Sequence, residues 1–228
     1  MLSSEEWQAI RLSLQVAFLS VSVSLPLGIL FAWVLARRHF PGKTLLDGII
    51  HLPLVLPPVV VGYALLLLFG RNGALGAPLH DWFGVTIAFT WQGAAVAAAV
   101  MGFPLMVRAI RLSLETMDRG LEEAARTLGA GRVAVFRTVT LPLIAPGVLT
   151  GVILAFARSL GEFGATITFV SNIPGETRTL PIALYTYTQV PGGDAQALRL
   201  AAIAVVLALA ALLGSEILAR RMRAHLGN

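Results

Sequence analysis

The sequence predicts an all-α polytopic membrane protein of about five transmembrane helices, forming a single domain over residues 1–228. Three observations carry this. The chain is 57% hydrophobic and 13% charged, with mean hydropathy +0.80, whereas soluble domains carry about 25% charged residues. Five long stretches lack charged residues, at 12–36, 48–70, 82–107, 138–157 and 200–215. Basic residues cluster after alternate stretches. A helix needs about 20 apolar residues to cross a hydrocarbon layer of about 30 Å. The runs show no polar alternation, which excludes a β-barrel.

The expected spans are about 11–36, 49–70, 83–107, 138–160 and 196–219, the last with Glu216 near its end. The start, MLSSEEWQAIRLSL, lacks a basic leader region and a small-residue cleavage site, so the first span is expected to remain as an anchor. Ser13, Gln15, Ser20, Ser22 and Ser24 add polarity to it. Pro26, the group Pro53, Pro57 and Pro58, then Pro104, then Pro142 and Pro146 fall within four spans. Each removes a backbone donor and tends to kink a helix. The run from Gly93 to Ala99 makes the third span small-faced, which suits close helix packing.

Net charge is +5. In a soluble protein such basicity suggests nucleic acid, but here it reads as a topology signal, and no nucleic-acid partner is expected. Arg37, Arg38 and Lys43 follow the first span. Arg108, Arg111, Arg119, Arg126, Arg132 and Arg137 follow the third, and Arg220, Arg221 and Arg223 follow the fifth. These segments belong on the cytoplasmic side, with the N-terminus outside and the C-terminus inside. Loops 71–81 and about 162–195 face outward and hold only Arg71, Arg178 and the boundary residue Arg199. Trp7, Trp33, Trp82 and Tyr63 lie near span ends and suit the interfacial aromatic belt.

The cytoplasmic loop 108–141 is patterned. Ile110, Leu114, Met117, Leu121, Ala124, Ala125 and Leu128 recur at helical spacing. Asp118 can cap a short helix whose first turn holds Glu122 and Glu123, where the dipole favours acids, and Gly129 supplies a left-handed stop. The result is an amphipathic helix of about ten residues. Lipid surface and a groove in a partner protein are both open to such a helix. Its small Ala124–Ala125 stripe and mixed charges favour the protein groove.

Glu123-Ala124-Ala125, then Gly129, then Val139 and Leu141-Pro142, resembles the spaced EAA signature of binding-protein-dependent ABC importer permeases, with Val139 where isoleucine is usual. The resemblance implies the type I importer permease fold and a cytoplasmic coupling helix docking on an ATP-binding subunit. Arg119, Glu122, Glu123, Ala124, Ala125, Arg126, Leu128, Gly129, Leu141 and Pro142 are then the coupling residues. It also implies a homodimer, two ATP-binding cassette subunits carrying ATP and Mg, and a periplasmic binding protein. This chain itself would carry no cofactor.

A second segment runs from Arg158-Ser159-Leu160-Gly161-Glu162-Phe163-Gly164 to Ser171-Asn172-Ile173-Pro174-Gly175. It resembles the oxyanion branch of that family. Together with HLPLVLPPVVVGY, MGFPLMVRAIR and ARTLGAGR, it makes the whole chain similar to molybdate permeases of Gram-negative bacteria. Molybdate import across the inner membrane is the implied function, with tungstate or sulfate/thiosulfate the alternative. Arg158 and Glu162, four apart, can pair on one helix face. Ionisable groups at membrane depth are costly and are usually paired or pore-facing, so a structural pair and a gate element both remain open. Thr166, Thr168, Ser171 and Asn172 offer neutral donors to a passing anion and complete the expected pathway set with Ser159.

Other classes fit less well. The chain has no cysteine, hence no disulfide or thiolate site, and its four histidines show no metal-ligand spacing. No Walker A loop, GxSxG elbow or HExxH pair is present. Glu122-Glu123-Ala124-Ala125-Arg126 superficially resembles the paired-glutamate motif of intramembrane prenyl-protein proteases, but its Arg is one residue too close and it lies in a polar loop. An ion-driven transporter would have no need of an EAA loop, and five spans lack the usual repeat.

Overall fold

The computed structural model describes residues 2–226. The side chains of Ser215, Glu216 and residues 218–226 lie outside the described residues, so the expected cytoplasmic cluster Arg220, Arg221 and Arg223 is outside them too, as is His225. Every regular element among the described residues is helical.

α1 (Ser4–Arg37) starts in a capping box. Ser3 Oγ accepts from the Glu6 N–H at 3.2 Å, and Glu6 Oε2 accepts from the Ser3 N–H at 2.6 Å. α5 (Trp91–Thr116) and α8 (Leu141–Leu160) pack beside it, with α5 in the centre. The alanine run explains that placement. Ala94, Ala97 and Ala98 are fully buried among Val16, Phe169 and Met101. Gly102 brings α5 against Ala155 of α8, and Gly28 brings α1 against Met106. Lipid tails are as apolar as leucine, so close contact between small residues is a main source of helix association in a bilayer.

Two serines of the first span, Ser13 and Ser20, are internal fasteners. Ser13 Oγ accepts from the Leu180 N–H at 2.6 Å, joining α1 to α10 (Leu180–Thr188). Ser20 Oγ lies 2.9 Å from Ser159 Oγ, joining α1 to α8, and both are buried. At the α1 N-terminus, buried Glu6 accepts from Nε and Nη2 of Arg199 at 2.9 and 2.6 Å. Arg199 lies near the start of α11 (Asp194–Leu226). The sequence placed Arg199 only at a span boundary, and its partner is 193 residues away.

The expected continuous second span, 49–70, is instead two helices, α2 (Lys43–Val55) and α3 (Pro58–Phe69), bent by 116°. Leu56 precedes Pro57, whose ring disfavours the helical conformation in the residue before it. Leu56 accordingly takes ψ 145° and Pro57 ψ 133°, and Pro58 starts the next helix at N1, where no N–H is needed. α3 then packs on α9 (Gly164–Val170). A Cβ on Gly62 would stand 2.9 Å from both Ala165 Cα and Thr168 Cβ. Gly62→Ala should therefore part α3 from α9 and cost about 1–3 kcal/mol, read as a lowered thermal midpoint in detergent. An unchanged midpoint would mean that this approach is not tight in solution.

Two other boundaries differ from expectation. The third span begins at Trp91 rather than near 83, because a short helix, α4 (Gly76–Phe83), and an irregular stretch precede it. It also continues past Val107 to Thr116, since Ile110 and Leu114 are fully buried in the bundle. Arg111 is accommodated there by Glu115 at 2.7 Å and Asp47 at 3.1 Å. The stripe read as one amphipathic face in the loop is thus divided. Its first half belongs to the core, and its second half to a separate helix.

Candidate functional site

That helix is α6 (Gly120–Thr127). The loop leaves α5 at Met117 in extended conformation. Asp118 Oδ1 then accepts from the Gly120 N–H at 2.8 Å. Asp118 was expected to be the cap, but the capping position is Arg119, without a side-chain cap, and Asp118 tightens the turn one residue earlier. The helix is eight residues long rather than ten. Its end follows the expected chemistry. Gly129 takes φ +87°, its N–H donates to Arg126 O at 2.9 Å, and the Ala130 N–H donates to Ala125 O at 3.1 Å. This is the paired bonding of a Schellman stop, which needs a left-handed residue.

One acid fastens α6 to the bundle. Glu122 is largely buried, and its Oε1 accepts from Thr140 Oγ1 at 2.6 Å and from Arg37 Nη2 at 3.3 Å. Arg126 Nη2 stands 3.8 Å from its other oxygen. Thr140 ends a π-helical turn, Phe136–Thr140, which follows α7 (Arg132–Val135) and leads into α8. The turn closes with the Leu141 N–H donating to Phe136 O, five residues back, just before Pro142, which has no N–H to give. Leu141 and Pro142 therefore sit at the base of α8 rather than on α6. The sequence used Arg37 only as a topology marker, and nothing local points to a partner 85 residues away.

The opposite face of α6 is open. Leu121 is 47% exposed and Leu128 is 88% exposed. Glu123, Ala124 and Arg126 are exposed with them, and Ala125 is half-buried. A short, anchored helix with an uncovered apolar edge is shaped to receive another surface.

The second expected group lies where α8 meets α9. Arg158 Nη1 is 2.6 Å from Glu162 Oε2. The contact is one of charge, without a well-aligned N–H at that oxygen. Glu162 is 2% exposed, and its Oε1 accepts from the Ala165 N–H at 2.8 Å, satisfying one of the orphan donors at the start of α9. Ser159 Oγ donates to Ala155 O at 2.8 Å and meets Ser20. Thr166 is buried, and Thr168 Oγ1 donates to Gly164 O. Asn172 has both ends engaged, donating to Thr186 Oγ1 at 3.0 Å and accepting from Arg178 Nε at 2.8 Å. Ser171 is exposed at φ +65°, and its carbonyl accepts from Thr177 Oγ1. Among the described side-chain bonds, only that of Arg158 with Glu162 joins two of these residues; Ser159 is tied to α1, and Asn172 to Arg178 and Thr186 beyond α9. Glu162→Gln keeps an oxygen for the Ala165 N–H but leaves Arg158 without its counter-charge. It should lower stability by about 1–3 kcal/mol, visible as a fall in the thermal midpoint of the inserted protein. A midpoint equal to wild type would remove the pair from the account.

A bundle of four long apolar helices and one broken pair, carrying a short anchored helix at one end, is the architecture of a transporter's membrane subunit. The chain belongs to the binding-protein-dependent transport system inner membrane component family, whose model matches residues 24–224. It is 65% identical over 226 residues, 99% of each chain, to the molybdenum transport system permease protein ModB of Escherichia coli strain K12. It is 59% identical to ModB of Haemophilus influenzae over 97% of each chain. The sulfate transport system permease protein CysT of Escherichia coli is 41% identical over 79% of this chain and 65% of that protein. Among solved structures, a bacterial ABC transporter importing alginate matches 96% of this chain and 80% of its own, with TM-score 0.75 at 19% identity. The MetNI methionine ABC transporter matches 95% and 94%, with TM-score 0.67 at 18% identity. The fold is thus that of ABC importer membrane subunits.

Proposed function

We propose that this chain is the permease subunit of an ATP-driven importer that moves molybdate across the bacterial cytoplasmic membrane. The observation that carries the transport reading is α6, an eight-residue helix anchored through Glu122 and closed by Gly129, with its other face uncovered. That face docks on an ATP-binding cassette subunit, where ATP and Mg are bound and hydrolysed. Arg119, Glu123, Ala124, Ala125, Arg126 and Leu128 form or flank the contact, and Glu122, Gly129, Leu141 and Pro142 fix its position. Force applied to α6 passes through Glu122 to the end of α1 and the base of α8. Two copies of the chain enclose the route, with two ATP-binding subunits inside and a periplasmic molybdate-binding protein outside. The N-terminus faces outward and the C-terminus inward, because the arginine-rich loops stay in the cytoplasm.

Arg158, Ser159, Glu162, Thr166, Thr168, Ser171 and Asn172 serve this cycle as the gate corner between α8 and α9. The Arg158–Glu162 pair and the bonds of Ser159 to α1, Glu162 to the start of α9 and Asn172 to α10 stabilise one arrangement and must be exchanged for the other to form. Weak, multiple contacts suit a conducting route, since a deep site would retain the ion. Selectivity then resides in the binding protein. Molybdate is favoured over sulfate by the 65% identity to ModB over the whole chain, against 41% to CysT over 79% of it.

The test is uptake by proteoliposomes holding the permease and its ATP-binding subunits, with the binding protein outside. Radiolabelled molybdate should enter only with ATP inside, and a protonophore should leave the rate unchanged. Uptake of sulfate or tungstate in preference would select the alternative cargo. Uptake without the ATP-binding subunits would overturn the reading.

A further inference from the structure

A cavity of about 990 Å³ opens between the last turns of α1 and the α6–α7 segment. Its α1 wall is one stripe at helical spacing, Pro26, Ile29, Leu30, Trp33 and Arg37. Pro26 and Arg37 are eleven residues apart, about 16 Å along the helix, which matches one leaflet of a hydrocarbon core of about 30 Å. The upper part of that wall is apolar. At the other end five arginines face two glutamates, an excess of three positive charges.

Three features there point to an anionic ligand. Arg37 has a side chain only 9% exposed, and its Nε–H is buried without an acceptor. An unpaired buried donor is costly and calls for a partner. Arg119 and Arg132 make no ion pair among the described residues. Arg38 lies over the Trp33 ring at 5.1 Å, at the junction of the apolar and cationic parts. A groove one leaflet long, greasy along its length and cationic at its mouth, has the polarity of a single anionic phospholipid. Basic pockets between membrane helices are known sites for such headgroups. A second copy of this chain is a poorer occupant, because its corresponding end brings the same surplus of arginine.

We propose that this groove binds one anionic phospholipid. The phosphate is held by Arg37, Arg119 and Arg132, and an acyl chain lies along Ile29, Leu30 and Trp33. The lipid bridges α1 and α6, so it braces the same joint that Glu122 fastens.

The experiment is native mass spectrometry of the permease assembled with its ATP-binding subunits, delipidated and then given equal amounts of phosphatidylglycerol and phosphatidylcholine. Each permease chain should retain one phosphatidylglycerol at least fivefold over phosphatidylcholine. Arg119→Gln with Arg132→Gln should reduce that preference to near unity. Ile29→Trp, which fills the acyl groove and leaves every arginine in place, should also lower retention, and it decides the matter alone if the double variant fails to assemble. Equal retention of the two lipids would overturn the proposal, as would undiminished phosphatidylglycerol in Ile29→Trp. Displacement by millimolar glycerol 3-phosphate would mark a site for a soluble anion and overturn it too.

Discussion

Replacing Gly129 with valine should abolish coupled transport while leaving the protein inserted and assembled. Gly129 sits at φ +87° with nothing within 4 Å of where a Cβ would lie, so space is not the obstacle. The obstacle is the backbone. A β-branched residue in the left-handed region costs roughly 1–2 kcal/mol or more. Relief comes by abandoning the stop, which releases the bonds from Gly129 and Ala130 to Arg126 and Ala125. Leu128 would then move off the edge it shares with Leu121. Molybdate uptake should fall at least tenfold, with ATP hydrolysis by the assembled complex continuing and no longer stimulated by the loaded binding protein. Gly129→Asn should retain most uptake, because asparagine tolerates the left-handed conformation. Normal coupling in Gly129→Val would mean that the end of α6 carries no force.

Glu122→Ala should have the larger effect on stability. It removes the acceptor shared by buried Thr140 and partly buried Arg37, and leaves the Arg37 cation without its partner. Breaking a pair of this kind costs about 2–4 kcal/mol, between the values for neutral hydrogen bonds and fully buried ion pairs. At about 2–4 °C per kcal/mol for a chain of this size, the thermal midpoint should drop by roughly 5–15 °C. Thr140→Val removes one bond and should cost about 1 kcal/mol. The two substitutions combined should cost little more than Glu122→Ala alone, because they remove the same interaction. Full additivity of the pair would contradict the shared role.

The helical class and four of the long apolar helices were legible because hydropathy over 20 residues is a strong signal. The short helix after the third span was legible too, since Glu123, the alanines and Gly129 each have a local physical meaning. The break at Leu56–Pro57 was not. Prolines in a membrane span usually kink it, and whether one breaks it depends on what packs beyond. Here that is α9 against Gly62, a contact more than 100 residues away. Nor was the continuation of α5 to Thr116, because Arg108 and Arg111 look like the end of a span until Asp47 and Glu115 are seen beside Arg111. The anchoring of α6 was hidden for the same reason. Glu122 reads as a first-turn acid, and only the fold brings Arg37 and Thr140 to it. For Arg158 and Glu162, spacing indicated the pair, whereas the bond from Glu162 to the start of α9 needed the turn at Gly161.

The absence of cysteine from the chain permits the most direct measurement. Leu128→Cys places a lone thiol on the exposed edge of α6, and membranes containing the whole complex can be labelled with benzophenone-4-maleimide, whose photoactivated carbonyl inserts into a nearby C–H bond and needs no second thiol. We expect a crosslink from Leu128→Cys to the ATP-binding subunit, with a yield that changes when nucleotide is added. Labelling of that thiol by a membrane-impermeant maleimide from outside intact cells, with no crosslink to the ATP-binding subunit, would contradict the account.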